Sequence, residues 1–375
     1  MKFLHISDLH LGIRLKEMSL IEDQAYILKE LIGIIDDTKP DGVLIAGDIY
    51  DRSVPSEEAV RLWDEFLVSL AGKGVPVYAI SGNHDSAVRF ADHGALVESA
   101  KIYLAPEYRG EAKHIRLKDS YGWLNIYMLP FIKPSTIRSV YQDMEVNDYT
   151  EALRIAIDKM NVDTSERNIL IAHQFVYGAS TCDSEVVVGG LDSVSVDVFD
   201  SFDYVALGHL HGKQHVGRET VRYCGTPLKY SLSEKNHQKS VTVIDFGDKG
   251  DVKISEIFLK PKRDLREIRG EFDTLTDQAF YDQQEKEDYI YVVLTDENEV
   301  PEAMSRLRLI YPYIVGMKYD NTRTRAQQLI TNVENVEKKS PIELFEEFYE
   351  MQNSQPMSDE QREFVNECIN SIWHV

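Results

Sequence analysis

Five short clusters of metal-ligating residue types recur along this 375-residue chain: Asp8-Leu9-His10, Gly47-Asp48-Ile49-Tyr50-Asp51, Gly82-Asn83-His84-Asp85, Ala172-His173 and Gly208-His209-Leu210-His211. Any one of them reads equally well as a surface pair or a turn. Together they supply carboxylates, one amide oxygen and several imidazoles, the donor set of a two-metal hydrolytic centre. Two divalent ions ~3.5–4 Å apart clamp the attacking and leaving oxygens of an in-line phosphoryl displacement, and a bound water can reach a pKa near ~7. A carboxylate must bridge such a pair, because it offers two oxygens and cancels charge between the cations. Asp48 is the natural bridge. Asn83 adds a neutral oxygen and so avoids overcharging the site. Mixed oxygen and imidazole ligands suit Mn²⁺, Fe²⁺ or Zn²⁺, with Mn²⁺ the first expectation, and the lack of thiolates argues against a structural zinc. His84 follows a ligand candidate on a turn and can point elsewhere, which makes it a candidate acid or phosphoryl-charge stabiliser.

Each cluster sits directly behind an apolar run: residues 3–6, 43–46, 77–80, 169–171 and 204–207. Short β-branched runs that end in Gly or polar residues predict buried parallel strands. Ligands bind at the carboxyl ends of such strands. The spacing therefore predicts an α/β fold with all five clusters at one end of its sheets.

The ordered set DxH, GDxxD, GNHD, H and GHxH resembles the calcineurin-like metallophosphoesterase superfamily. The flanking residues 47–56, 172–176, 202–209 and 223–231 resemble its DNA repair nuclease branch. The resemblance implies a four-layer α/β sandwich with a small α+β capping domain and a C-terminal helical tail. It implies that Asp8, His10, Asp48 and His211 hold one ion and that Asp48, Asn83, His173 and His209 hold the other, with His84 meeting the scissile phosphate. Asp51 stands where archaeal and eukaryotic members carry a histidine and bacterial members carry Asp, and it is a second catalytic candidate. The resemblance further implies DNA as substrate, cut as an exonuclease at duplex ends and as an endonuclease at single strands or hairpins. It implies an SMC-like ATPase partner, a homodimer within a heterotetramer, and work in DNA repair, recombination and replication. His5, His93, His114, His215, His237 and His374 match no ligand motif.

Composition bounds the rest. No apolar stretch is long enough to span a membrane and the start lacks a signal peptide. Cys182, Cys224 and Cys368 are few and unpaired in spacing, which fits a reducing cytosol. A cytoplasmic protein is expected. The net charge of −22 looks wrong for a nucleic-acid enzyme. Part of it is local, since residues 341–375 carry eight acidic residues against Arg362 alone. Basic residues cluster at Lys260, Lys262, Arg263, Arg266 and Arg269. Arg52, Arg89, Arg323 and Arg325 are the candidates for DNA contact.

Composition shifts divide the chain into 1–260, 261–338 and 339–375, which the resemblance reads as a nuclease domain, a capping domain and an ATPase-binding tail; from composition alone the second region could equally be a dimerisation or support domain. A polar turn at 245–251 precedes a strand at 252–259. Beyond the basic connector, strands at 289–294 and 313–319 flank a helix at 302–309, a small α+β module. In the tail, Ser340-Pro341-Ile342-Glu343 and Ser358 with Gln361 read as two helix-capping boxes. Leu344, Phe345 and Phe348 on the first helix, and Phe364, Ile369 and Trp373 on the second, form apolar stripes that must dock on the chain itself or on a partner, and the resemblance implies that the partner is the ATPase. Two alternatives share parts of this pattern: a small-molecule phosphodiesterase or phosphatase, and a non-catalytic DNA-end tether.

Overall fold

The computed structural model describes residues 1–90, 97–183, 185 and 193–325, and beyond these 342, 345–346, 349, 357–358, 361–362 and 364–366. Twelve strands carry the larger part of the molecule: β1 (Lys2–Ile6), β2 (Gly42–Ala46), β3 (Val77–Ile80), β4 (Ile102–Ala105), β5 (Lys113–Asp119), β6 (Gly122–Leu129), β7 (Arg167–His173), β8 (Tyr204–Gly208), β9 (Gln214–Val216), β10 (Arg218–Tyr223), β11 (Ser240–Phe246) and β12 (Val252–Phe258). The five apolar runs of the sequence are β1, β2, β3, β7 and β8. They form two six-stranded sheets, ordered β12-β11-β1-β2-β3-β4 and β9-β10-β8-β7-β6-β5. β1 to β4 run parallel, as do β6, β7, β8 and β10. All five clusters therefore emerge at carboxyl ends of parallel strands.

Three apolar cores make the layers. Phe3, Leu44, Tyr78 and Ile80 of the first sheet meet Leu124, Ile126, Ile169, Ile171 and Tyr204 of the second, all fully buried. The outer face of the first sheet packs on helices α1 (Ile21–Thr38) and α2 (Glu57–Lys73) through Ile27, Leu31, Trp63 and Phe66. The outer face of the second packs on α3 (Pro134–Val140) and α4 (Tyr149–Asp158) through Ile137, Leu153 and Ala156. Helix, sheet, sheet, helix is the four-layer α/β sandwich. Period explains the partition: Phe3 faces the other sheet while Leu4 and Ile6 face the helices. Burying each such large side chain stabilises by about 1.5–3 kcal/mol. α2 shows its local signals plainly, with Ser56 accepting from Ala59 N at its start and left-handed Gly74 at its end.

Further strands Leu265–Gly270, Tyr289–Leu294 and Ile314–Tyr319 form a three-stranded sheet in that order, and a helix spans Ala303–Arg308. By compactness the chain divides into two units. One is Met1–Ile268, Thr276–Val292 and Met304–Met317; the other is Arg269–Leu275, Val293–Ala303 and the described residues of 318–375. The units interleave in sequence. In the tail, Ser358 N donates to Gln361 Oε1 at 2.9 Å and Gln361 N to Ser358 Oγ at 3.3 Å, a capping box. Phe345 and Phe364 are exposed at 41% and 66%. Leu344, Phe348, Ile369 and Trp373 lie outside the described residues, as does the box at Ser340. No helix among the described residues is long and apolar enough to cross a membrane.

Candidate metal centre

The strand-tip loops interlock. Asp8 N donates to Gly47 O at 3.0 Å, His10 N to Asp48 O at 3.0 Å and Leu11 N to Ile49 O at 2.8 Å. Asp8, His10, Asp48 and His209 all hold positive φ, at 53°, 43°, 50° and 105°. For side chains other than glycine such a backbone costs about 1–3 kcal/mol each and persists only where the surroundings dictate it. The strain turns the side chains inward. Two glycines permit the approach. A Cβ on Gly82 would lie 2.1 Å from Asp48 Oδ1, and one on Gly208 would lie 1.9 Å from Ala46 O in the opposite sheet.

Two overlapping groups of ligand atoms result, each drawn together within 4.8 Å: Asp8, Asp48 and His173, and His10, Asp48 and His84. Asp48 belongs to both. Asn83 Oδ1 lies 2.9 Å from His173 Nε2 and 2.9 Å from His209 Nδ1. The His10 and His211 rings are 5.1 Å apart. The residues expected as ligands thus converge: Asp8, His10, Asp48, Asn83, His173, His209 and His211.

Their chemistry fits cations. His173 Nδ1 donates to Ala46 O at 2.8 Å, so its Nε2 faces Asn83 Oδ1 and, at 3.3 Å, Asp48 Oδ2. A neutral imidazole there would place electron pairs against one another; a proton or a metal ion must lie between them. Burial alone would depress the His173 pKa, but the Asp48 carboxylate outweighs it and raises it to about 9. Burial opposes ionisation of Asp48 too, yet His173, His10 and His84 hold its carboxyl far below the usual range. Burial drives His10 well below the ordinary imidazole value and His209 to about 3. Neither ring nitrogen of buried His10 has a hydrogen-bond partner among the described residues. Neutral imidazoles facing the Asp48 carboxylate, in the case of His10, and the Asn83 amide oxygen, in the case of His209, are what a divalent ion requires.

His84 reaches solvent at the edge of the centre. Its backbone N–H donates to Asp48 Oδ1 at 2.9 Å, and its Nδ1 lies 2.7 Å from Asp51 O. Asp51 thus meets His84 through its carbonyl, while its carboxylate faces His10 Nδ1 at 4.0 Å and Arg52 Nε at 3.4 Å. Sequence reasoning left Asp85 without a role. Its carboxylate accepts from Ile49 N, Tyr50 N and Gly82 N at 3.1, 2.9 and 2.9 Å, pinning the Asp48 loop to the Asn83 loop. The only signal for it was its place in the Gly-Asn-His-Asp run. His5 lies between the sheets, bonded to Tyr204 Oη and Leu207 O.

The basic residues are largely spoken for. Lys262 pairs with Glu22, Arg263 with Asp23, Arg266 with Asp288 and Arg269 with Asp320. Arg323 pairs with Glu299 and Arg325 with Asp320, both with exposed side chains. Arg52 is 78% exposed beside the centre and Arg89 is exposed on the helical turn that follows Asp85.

Residues 1–213 match the calcineurin-like phosphoesterase family model, and the chain belongs to that family, whose members imply divalent metal ions at this position. Residues 261–353 match a second model, the type 5 capsule protein repressor C-terminal domain. Over 99% of its length, and 99% of the relative's, the chain is 30% identical to SbcD, a subunit of the nuclease SbcCD, from Staphylococcus epidermidis. Among solved structures, TT1561 of Thermus thermophilus aligns with 68% of this chain and 98% of its own at 13% identity, TM-score 0.39. A dimetal phosphatase from Danio rerio aligns with 69% of this chain and 99% of its own at 12% identity, TM-score 0.41.

Proposed function

We propose that this chain is the nuclease subunit of a complex with an SMC-like ATPase of the SbcC kind, hydrolysing DNA phosphodiester bonds with two Mn²⁺ ions. One observation carries it: the chain is 30% identical over 99% of its length to a relative named as a nuclease subunit, and its Asp48 carboxylate belongs to both groups of ligand atoms, one with Asp8 and His173 and one with His10 and His84. In this reading Asp8, His10, Asp48 and His211 hold one ion, and Asp48, Asn83, His173 and His209 the other. Bound there, the ions supply an activated water and spread charge from the phosphoryl group. His84, anchored at Nδ1 by the Asp51 carbonyl, turns its other nitrogen toward the departing oxygen and protonates it. Asp51 steers His84 through the backbone and holds Arg52 beside the substrate path.

Residues 1–260 form the nuclease domain, 261–338 the capping domain that touches DNA, and 339–375 the tail that grips the ATPase. Arg52 and Arg89 contact the phosphate backbone, joined by Arg323 and Arg325 once DNA displaces their surface carboxylate partners. Recognition is independent of base sequence and weakens with salt. The assembly is a homodimer within a heterotetramer, acting in the cytoplasm in repair, recombination and replication, as exonuclease on duplex ends and endonuclease on single strands or hairpins.

Nuclease assays with Mn²⁺ or Mg²⁺ on duplex ends and hairpins, with and without the ATPase and ATP, test this. Turnover of a nitrophenyl diester without cutting of DNA would favour a small-molecule phosphodiesterase. DNA binding without turnover of either would favour a tether. Truncation before Ser340 should spare Mn²⁺-dependent cutting and abolish ATPase association; a truncated chain that still bound the ATPase would place the interface elsewhere.

A further inference from the structure

Glu234 belongs to none of the strand-tip clusters. It ends a short 3₁₀ turn, Leu232–Glu234, and is fully buried. Its Oε1 lies 3.2 Å from His211 Nδ1. Its Oε2 accepts from Lys239 Nζ at 2.6 Å. Lys239 is itself buried, and its Nζ also donates to Thr226 Oγ1 at 2.6 Å and to His211 O at 2.9 Å. A buried ion pair is a weak source of stability, because desolvation offsets its attraction. This one is set directly behind a ligand candidate. The contrast with His173 is chemical: there the far nitrogen meets a neutral carbonyl, Ala46 O, whereas behind His211 it meets a charged carboxylate.

We propose that Glu234, held by Lys239, is a positioning residue for His211. It keeps the imidazole proton on Nδ1, leaves Nε2 open to a cation and, by its charge, makes the ion held by Asp8, His10, Asp48 and His211 the tighter of the two. The inference rests on the two-metal reading above. A hydrogen-bonded partner behind a ligand histidine raises its basicity and selects its tautomer. Glu234→Gln has one amide oxygen where the carboxylate had two. Lys239, charged and at 2.6 Å, claims that oxygen and turns the amide N–H₂ toward His211. The His211 proton then moves to Nε2, where it blocks the ion.

Calorimetric titration of the full-length metal-free chain with Mn²⁺ reads both sites. The wild type should bind two ions in two steps. E234Q should weaken one step by about 10–100-fold and leave the other unchanged. The double variant E234Q/K239M removes both buried charges and frees the amide to turn its oxygen to His211, so the weakened step should recover in part. Thermal denaturation of each metal-free variant monitors folding. E234Q binding both ions as the wild type does would overturn the proposal, as would equal weakening of both steps without recovery in the double variant, the mark of a structural role. Should E234Q fail to fold, the double variant decides alone: one selectively weakened step supports the proposal, and two unchanged or equally weakened steps overturn it. A wild-type chain that binds fewer than two ions would overturn the two-metal reading itself, and this inference with it.

Discussion

The two sheets bring different chemistry to the same centre. The first supplies Asp8, His10, Asp48 and Asn83, three of them on left-handed backbone. The second supplies imidazoles alone, His173, His209 and His211, of which only His209 has positive φ. The two carboxylates come from strained loops that hold one another, and two of the imidazoles are then aimed by the first sheet: His173 Nδ1 rests on Ala46 O, and His209 N donates to Asp8 Oδ1 at 2.9 Å. The carboxylate side therefore acts as the template and the imidazole side as the part that completes it. Neither sheet alone carries all seven of the proposed ligands.

The largest effect should come from the template. Asp48→Ala removes the carboxylate shared by both ligand groups, so both ions and all turnover should be lost while the fold persists. Metal content by mass spectrometry reads this directly, and two ions retained per chain would end the bridging assignment. Next comes His84, which leans on the template but lies at its open edge. His84→Ala should keep both ions and lower turnover by about 10²–10⁴-fold. Loss of metal along with activity would make it a ligand instead.

The seam between the sheets is tested at Gly208. Its Cβ would meet Ala46 O at 1.9 Å, so Gly208→Ala should wedge the layers and destabilise by about 1–3 kcal/mol, read as a lower urea midpoint. Gly72, inside α2 with nothing within 4 Å of a Cβ, is the control: Gly72→Ala should stabilise by about 0.4–1 kcal/mol. Equal effects at the two glycines would dissolve the argument about close approach.

The seam also has a pH signature. Burial between the sheets lowers the His5 pKa to about 3, against about 6.5 in an unfolded chain. In that window the unfolded state binds more protons, so the stability held above pH 6.5 is lost as pH falls toward 3. The slope is at most about 1.4 kcal/mol per pH unit for this one group. His10 and His209 act in the same direction. Urea unfolding of the metal-free chain at pH 7 and 5.5 should give a shallower fall for His5→Gln than for the wild type; identical slopes would show that His5 is not held neutral in the fold.

The amino-acid sequence by itself determined the five cluster-bearing strands, the clusters and the residue types of the proposed ligands. Those signals are local: an apolar run of strand length, a glycine, then polar donors, each readable within a few residues. It also placed strands at 252–259 and 289–294, found at Val252–Phe258 and Tyr289–Leu294, and the Ser358–Gln361 cap, again from short-range pattern. Tertiary structure alone decided what joins positions far apart in the chain. The left-handed turns at Asp8, His10 and Asp48 run against residue preference and are held by bonds between separate strands. Glu234 reaches His211 across 23 positions, and Arg263 reaches Asp23 across 240, which turns a conspicuous basic cluster into internal ion pairs. Composition records which charges a chain carries; only packing decides which of them face each other closely enough, away from water, to neutralise or to bind.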